Sequence, residues 1–474
     1  MTRELKSESF NPVIVGAGPA GVRAAQTLVR HGIRPVVIDE AQTWGGQIYR
    51  QPPAHFQRTK KELYGFESTR AEAIHSAMAE ILPEIDYQPD TLVWNAQDQR
   101  LDTIRAGTTF ATPYSHLIVA TGATDRILPF IGWTLPGIYS LGAAQIALKA
   151  QGCSIGDRVV LMGTGPLLYL VAYQYARAGA NVVAVLDTAP SASRITAALK
   201  MLALPTLLMK GIYYTTWMQL KGIRIHHGVR PVRAHGEEHV QSIEWIDARG
   251  ETQNLACDAI GFGYALRSET QLADILGCRF NFDETQRAYL PIRDETGRSS
   301  VPNVYLAGDG ASIMGADAAE KAGELAALTL MADVKPELLQ TTDLLRIPEL
   351  QSQLKRIQHF RIGLEQAFPF PTDWAKQASD DLIICRCEEI TAGEIRKAVQ
   401  MNGAREINRV KALTRVGMGR CQSRMCAVAA AEIIADCAGI EIREVGRLRG
   451  QPPIKPIPFV TDPSGDPAIS GASQ

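Results

Sequence analysis

Four cysteines carry the residue types and spacing most suggestive of chemistry: Cys385 and Cys387 in Cys-Arg-Cys, and Cys421 and Cys426 in Cys-Gln-Ser-Arg-Met-Cys. Each iron of a binuclear 2Fe-2S centre takes two thiolates, so one close pair can serve each iron. Zinc is the rival, although structural zinc favours C-x2-C or C-x4-C knuckles in both halves. Disulfides would need an oxidising compartment. The first residues, Met1 to Phe10, carry no apolar export segment and no twin arginine, which predicts a cytoplasmic chain, with peripheral attachment at the inner membrane face left open. Arg386, Arg415, Arg420 and Arg424 flank the cysteines. Such cations offset the charge of a thiolate-ligated cluster. Thr391 to Glu394 is a capping box that starts one helix, and residues 424–438 read as another with Cys426 in its first turn.

A second kind of chemistry is written in glycines. Val13-Ile14-Val15-Gly16-Ala17-Gly18-Pro19-Ala20-Gly21 fits G-x-G-x-x-G between a strand and a helix. Gly16 permits the tight turn, Gly18 lets backbone approach a diphosphate, and Gly21 lets the helix pack on the strand. Pro19 and Ala20 open that helix, whose N-H groups favour negative charge. Glu40 ends the next strand, where an acid accepts from ribose hydroxyls. A second unit has the same plan: Gly163 and Gly165 in Gly-Thr-Gly-Pro-Leu-Leu, then Asp187, 24 residues beyond Gly163 as Glu40 is beyond Gly16. Leu168 stands where the third glycine belongs, so the fingerprint is incomplete. Three readings of this unit stay open: a NAD site, a structurally held ADP or ATP, and a relic packed by side chains.

Gly45-Gly46-Gln47, Thr121-Gly122 and Asp309 in Gly308-Asp309-Gly310 complete a set with the first motif. Over about residues 10–330 the chain resembles the two-dinucleotide-domain flavoproteins that include glutathione reductase. The resemblance implies FAD at the first site, with Gly45, Gly46 and Gln47 against the diphosphate and Asp309 on the ribityl chain. The disulfide reductases of that family carry a cysteine pair beside the flavin, and no such pair occurs here. Cys153, Cys257, Cys278 and Cys437 are single and read as buried reduced thiols. His226-His227 reads as a strand-edge pair. No acid-base pair stands beside the flavin motifs, so no catalytic residue is assigned.

The cysteine segment resembles bacterioferritin-associated-ferredoxin-like 2Fe-2S domains, most specifically at Thr414 to Gln422. With Gly45 to Pro53 and the proline-rich tail, nearly the whole chain resembles the FAD-containing A or α subunit of opine oxidases and D-hydroxyproline dehydrogenases. The flavin subunit of hydrogen cyanide synthase is similar. The resemblance implies an electron relay through FAD and 2Fe-2S to an external acceptor, within a hetero-oligomer. The amine would be oxidised on an amino-acid-oxidase-like flavin subunit. An interface FMN and a further small subunit belong to the same expectation. The rival is a self-sufficient NADH-dependent flavin and 2Fe-2S reductase. A vestigial scaffold without cofactors is a third reading.

The elements that must position these residues follow from the pattern. The fold expected is α/β, with two Rossmann-like domains and a small, mainly helical 2Fe-2S domain. Residues 1–145 and 290–335 would form the FAD domain, 146–289 an inserted second nucleotide domain, and 336–380 a linker with a bracing helix near Glu349 to Gln366. Residues 381–445 would hold the cluster and 446–474 an extended tail. With 49 basic and 50 acidic residues, no global field favours nucleic acid or an anionic bilayer. The apolar stretch Ala203 to Leu220 is broken by Pro205, Lys210 and Gly211, too short to span a membrane. It reads first as a core helix, and second as a face for a partner subunit.

Overall fold

The computed structural model describes residues 10–458 apart from 54, 57 and 203. The extreme ends of the chain, including the Gly/Ser/Asp-rich end of the expected tail, lie outside the described residues. The first unit is β1 (Pro12–Val15), α1 (Pro19–Arg30) and β2 (Val36–Ile38), followed by β3 (Asp86–Gln88) and β4 (His116–Val119). The second begins with β5 (Ile138–Ser140), α2 (Leu141–Ala150), β6 (Val159–Thr164), α3 (Pro166–Arg177) and β7 (Val182–Asp187). It continues with α4 (Ser191–Met201), α5 (Pro205–Leu220), β8 (Arg224–His227) and β9 (Ala259–Tyr264). The chain then returns through β10 (Val304–Leu306), α6 (Ala316–Val334) and α7 (Thr341–Ala367). The cluster segment adds α8 (Ala392–Asn402), α9 (Ile407–Thr414) and α10 (Ala427–Ala438).

Two five-stranded parallel sheets result, in the orders β10-β4-β1-β2-β3 and β8-β7-β6-β9-β5. The α/β expectation is met. The central strands β1, β6 and β9 are buried along their whole lengths, which is why they read as unbroken apolar runs and not as alternating ones. Close helix approach depends on glycine. A Cβ on Gly21 would lie 1.7 Å from the Gly16 carbonyl oxygen, and one on Gly323 of α6 would lie 1.9 Å from that of Ala20 in α1.

Three expectations need adjustment. The second sheet includes β5, so its domain starts before residue 146, and three residues after a Pro-Gly turn are too few to reveal a strand by pattern. After β9 the chain is already back in the first domain: Leu266–Ser268 pairs with Ala123–Asp125, and Leu272, Ala273 and Cys278 share a core with Val13 and Val15. The bracing helix begins at Thr341 and runs through Pro348. Pro348 deprives the Leu344 carbonyl of its donor, and Leu344 is exposed, so solvent can stand in.

The core-helix reading of α5 is also corrected. Of its side chains only Met218 is buried, while Met209, Ile212, Tyr213 and Leu220 are exposed. Cys153 is exposed too, whereas Cys257 and Cys278 are buried and Cys437 partly so. Packing of α1 against α6 is a direct target for test. Gly323→Ala should cost about 1–3 kcal/mol by overpacking, seen as a lower Tm together with weaker flavin retention, because α1 carries the diphosphate end of the site.

Candidate flavin and cluster sites

The turn after β1 is shaped for a diphosphate. Gly16 sits at φ +107°, a backbone that L side chains rarely adopt, and its missing Cβ leaves room for the Ala120 carbonyl. Helix α1 starts at Pro19 with no side-chain cap and no acid in its first turn, so its N-H groups are available to an anion. A Cβ on Gly18 would meet only the Gly46 Cα, at 3.6 Å, and one on Gly122 would meet nothing within 4 Å. These open positions fit an FAD passing over the turn. Gly45 N donates to the Ala17 carbonyl at 2.8 Å, which brings the Gly45-Gly46-Gln47 loop against the first motif. Thr121 and Gly122 follow β4, and Asp309 follows β10, so the parallel sheet gathers all of them at one end. Asp309 Oδ1 accepts from the N-H groups of Met314 and Gly315 at 2.8 and 2.9 Å, which leaves Oδ2 for a flavin hydroxyl.

Sequence reasoning missed several residues that hold this site. Asp39 accepts from Ala17 N and from Ala41 N, pinning the glycine turn. Glu40 is exposed, and its carboxylate is met by Lys455 from the C-terminal segment. Three side chains cap three successive carbonyls after Gln47: Lys149 donates to Ile48 O, His75 bonds Tyr49 O and Tyr64 donates to Arg50 O, each at 2.8 Å. Burial pushes the Lys149 ammonium down to about 7. Nothing in local sequence marks Lys149 as a partner of a loop about a hundred residues away.

At the second nucleotide position the groups do something else. Gly163 and Gly165 keep the tight turn, at φ +127° and +102°, but Leu168 is wholly buried in the core beneath α3. Asp187 is fully buried and accepts from the Tyr169 hydroxyl at 2.5 Å and from Ala189 N at 2.9 Å, with Arg194 ion-paired to it. Arg194 also stacks over the rings of Tyr169 and Phe368, at 4.9 and 5.2 Å. The carboxylate expected to face a ribose therefore faces protein, because Tyr169 and Arg194 satisfy it and Phe368, after α7, covers them. His227 lies on the edge strand β8 and approaches Asp187 at 3.7 Å.

The cysteine quartet is brought together by a two-stranded turn and the entry to α10. Cys385 and Cys426 are buried, Cys421 is partly buried and Cys387 is exposed. Cys385 lies near the end of Ile383–Cys385, Cys426 is the N-cap of α10, and the Thr391 capping box with Glu394 forms as expected. The thiol contacts run between the motifs: Cys385 with Cys426, and Cys387 with Cys421. The Cys385 thiol is drawn down to about 6, first by the Cys426 thiol and then by the N-H groups of Gly417, Glu388 and Cys387, against the pull of burial. Burial raises Cys421, and Cys426 is raised well above the usual thiol range by Cys385 and by burial. Among the described residues no three His, Cys, Asp or Glu side chains converge on one ion position. The four thiols, with amide donors on the Cys385 sulfur, are of the type that would hold a 2Fe-2S cluster. A Cβ on Gly419 would lie 2.3 Å from that of Cys387, so glycine is required there.

Charge around the quartet is less free than the sequence suggested. Arg415 is paired with Glu388 at 2.8 Å, and Arg386 lies over the Trp133 ring at 5.9 Å. Arg424 holds Glu269 through two bonds of 2.7 and 3.1 Å, and also donates to Cys421 O and Ile454 O. Glu269 in turn donates its N-H to Gly122 O at 3.0 Å and receives the Thr121 hydroxyl on its own carbonyl at 2.7 Å. The loop between Cys421 and Cys426 is thus tied by one ion pair to the Thr121-Gly122 loop, which the sequence assigns to the flavin.

Two parallel dinucleotide folds, a diphosphate turn and a nest of four cysteine thiols point to a flavin and iron-sulfur oxidoreductase. Residues 10–323 match the family described as pyridine nucleotide-disulphide oxidoreductase, and residues 383–436 match the BFD-like [2Fe-2S] binding domain. The chain is 34% identical over 463 residues to the A subunit of opine oxidase from Agrobacterium tumefaciens, covering 95% of this chain and 91% of that one. It is 32% identical over 475 residues to the HcnB subunit of hydrogen cyanide synthase from Pseudomonas protegens, covering 98% and 99%. The chain belongs to this family of FAD-containing and 2Fe-2S-containing oxidoreductase subunits. Among solved structures, L-proline dehydrogenase from P. horikoshii shares the fold with a TM-score of 0.70 at 17% identity, covering 95% of this chain and 78% of that one.

Two substitutions separate the cofactors. Gly18→Val places a side chain where only the diphosphate would pass, so FAD content should fall below about a tenth of the parent's while iron stays, as read by absorbance and metal analysis. Cys421→Ser should remove the visible cluster spectrum with FAD retained. Stoichiometric iron and acid-labile sulfide in that variant would refute the quartet.

Proposed function

We propose that the chain is the electron-transfer subunit of a cytoplasmic, hetero-oligomeric dehydrogenase or oxidase. Its amine substrate, of opine or D-hydroxyproline type, is oxidised on a separate amino-acid-oxidase-like flavin subunit, and electrons leave this chain for an external acceptor. The observation that carries this reading is the bonded path from the cluster loop through Arg424 and Glu269 to Thr121 and Gly122, with Cys387 of the quartet exposed. FAD supplies the exchange between two-electron and one-electron chemistry that a 2Fe-2S partner requires. Residues of this chain would hold both groups. Its relatives are named as subunits, and the exposed apolar face of α5 suits an assembly. No helix among the described residues is long and apolar enough to cross a membrane.

The second nucleotide position speaks against the NADH-dependent alternative, since Tyr169, Arg194 and Phe368 occupy the surroundings of Asp187. Co-purification from the native host with cofactor analysis of each subunit tests the proposal. An amine should bleach the flavin of the complex under anaerobic conditions, whereas NADH should leave the flavin of the isolated chain oxidised. Rapid bleaching of the isolated chain by NADH would instead establish the self-sufficient reductase.

A further inference from the structure

A cavity of about 120 Å³ lies between the nucleotide domains and the cluster domain, walled by Arg126, Arg267, Ser268 and Gln271 on one side and by Ser423 and Ala427 on the other. Its charges do not balance. Glu432 is held by Arg287 at 2.9 Å, Asp274 by Arg447 at 2.6 Å, and Glu269 by Arg424 at 2.7 Å. Glu365, the carboxylate that acts on Arg126, is paired with Arg361. Each acid thus has its own guanidinium at ion-pair distance; Arg267 feels Glu269 only at longer range and Arg126 stacks over the Phe370 ring at 5.5 Å, so neither has an ion-pair partner among the described residues.

Neither is well satisfied by protein. Arg126 is 5% exposed; among the described residues its Nε has no hydrogen-bond partner, and the one bond of its guanidinium, to Leu266 O, is 3.4 Å long. Among the described residues the Arg267 guanidinium makes one bond, of 3.5 Å, to Arg424 O. The Ser268 hydroxyl is also buried without a partner among the described residues. Arg361, Arg267 and Arg287 all lie within electrostatic reach of Arg126, so like charges are crowded where water is scarce. A desolvated guanidinium without a counter-charge is costly, and its planar fork matches an oxyanion.

We propose that this cavity is a binding site for one small oxyanion, a carboxylate or phosphate group, held by Arg126 and Arg267 with the Ser268 hydroxyl as a further donor. The anion would lie beside the Cys421 to Cys426 loop, with Ser423 and Ala427 as its opposite wall. The test uses protein loaded with FAD, so that the diphosphate turn is filled, and isothermal titration with inorganic phosphate and with succinate against chloride at matched ionic strength. Saturable binding of one anion per chain is expected, and the tighter of the two identifies the ligand class. Arg126→Gln and Arg267→Gln should each weaken that binding at least about tenfold, the usual worth of charge-assisted hydrogen bonds, with FAD and iron contents as in the parent. If one variant does not fold, the other decides. Absence of saturable binding of both anions, or unweakened binding in the folded variants, overturns the site.

Discussion

The Arg424–Glu269 ion pair sits where three parts of the chain meet, and much of the arrangement hangs on it. Its side chains are only 16% and 9% exposed, so each charge has left water and depends on the other. Burial pushes the Glu269 carboxyl up, yet Arg424 beside it more than compensates and holds it below the usual glutamate range. Removing one partner from such a pair costs about 3–5 kcal/mol, because the other is stranded. The backbone of Glu269 borders the flavin loop, the guanidinium touches the cluster loop at Cys421 O, and Ile454 O brings in the C-terminal segment. Two redox sites encoded in distant stretches of sequence therefore have one mechanical joint.

The C-terminal segment makes further bonds along the same line. Ile454 N donates to Trp94 O, Lys455 meets Glu40, and Gly450 N with Arg447 holds Asp274. The segment runs from the cluster domain across the first nucleotide domain, so it straps the two together. Trp133 adds a second tie through its N-H to Ile383 O at 2.7 Å, two residues before Cys385.

The two nucleotide units show how one local plan can end in different chemistry. Both place an acid at or just beyond the end of the second strand on a parallel sheet. In the first, Asp39 serves the turn while Glu40 stays outward; in the second, Asp187 is turned in against Tyr169, and Arg194 reaches it from α4. Leu168 reinforces the difference by filling the core where a glycine would leave backbone close to backbone.

The sequence alone determined what is local or periodic. Glycine turns, apolar parallel strands, the Thr391 capping box and the four cysteines follow from steric and hydrogen-bonding rules acting over a few residues, and they gave the fold class and the candidate ligands. Tertiary structure decided what depends on distant partners. That Glu269 belongs to Arg424, that Lys149 caps the loop after Gln47, that Asp187 is consumed by protein and that α5 stays exposed could not be read locally. Burial and ion pairing are set by whichever elements arrive next to a residue, and those arrive from stretches as much as 415 positions away.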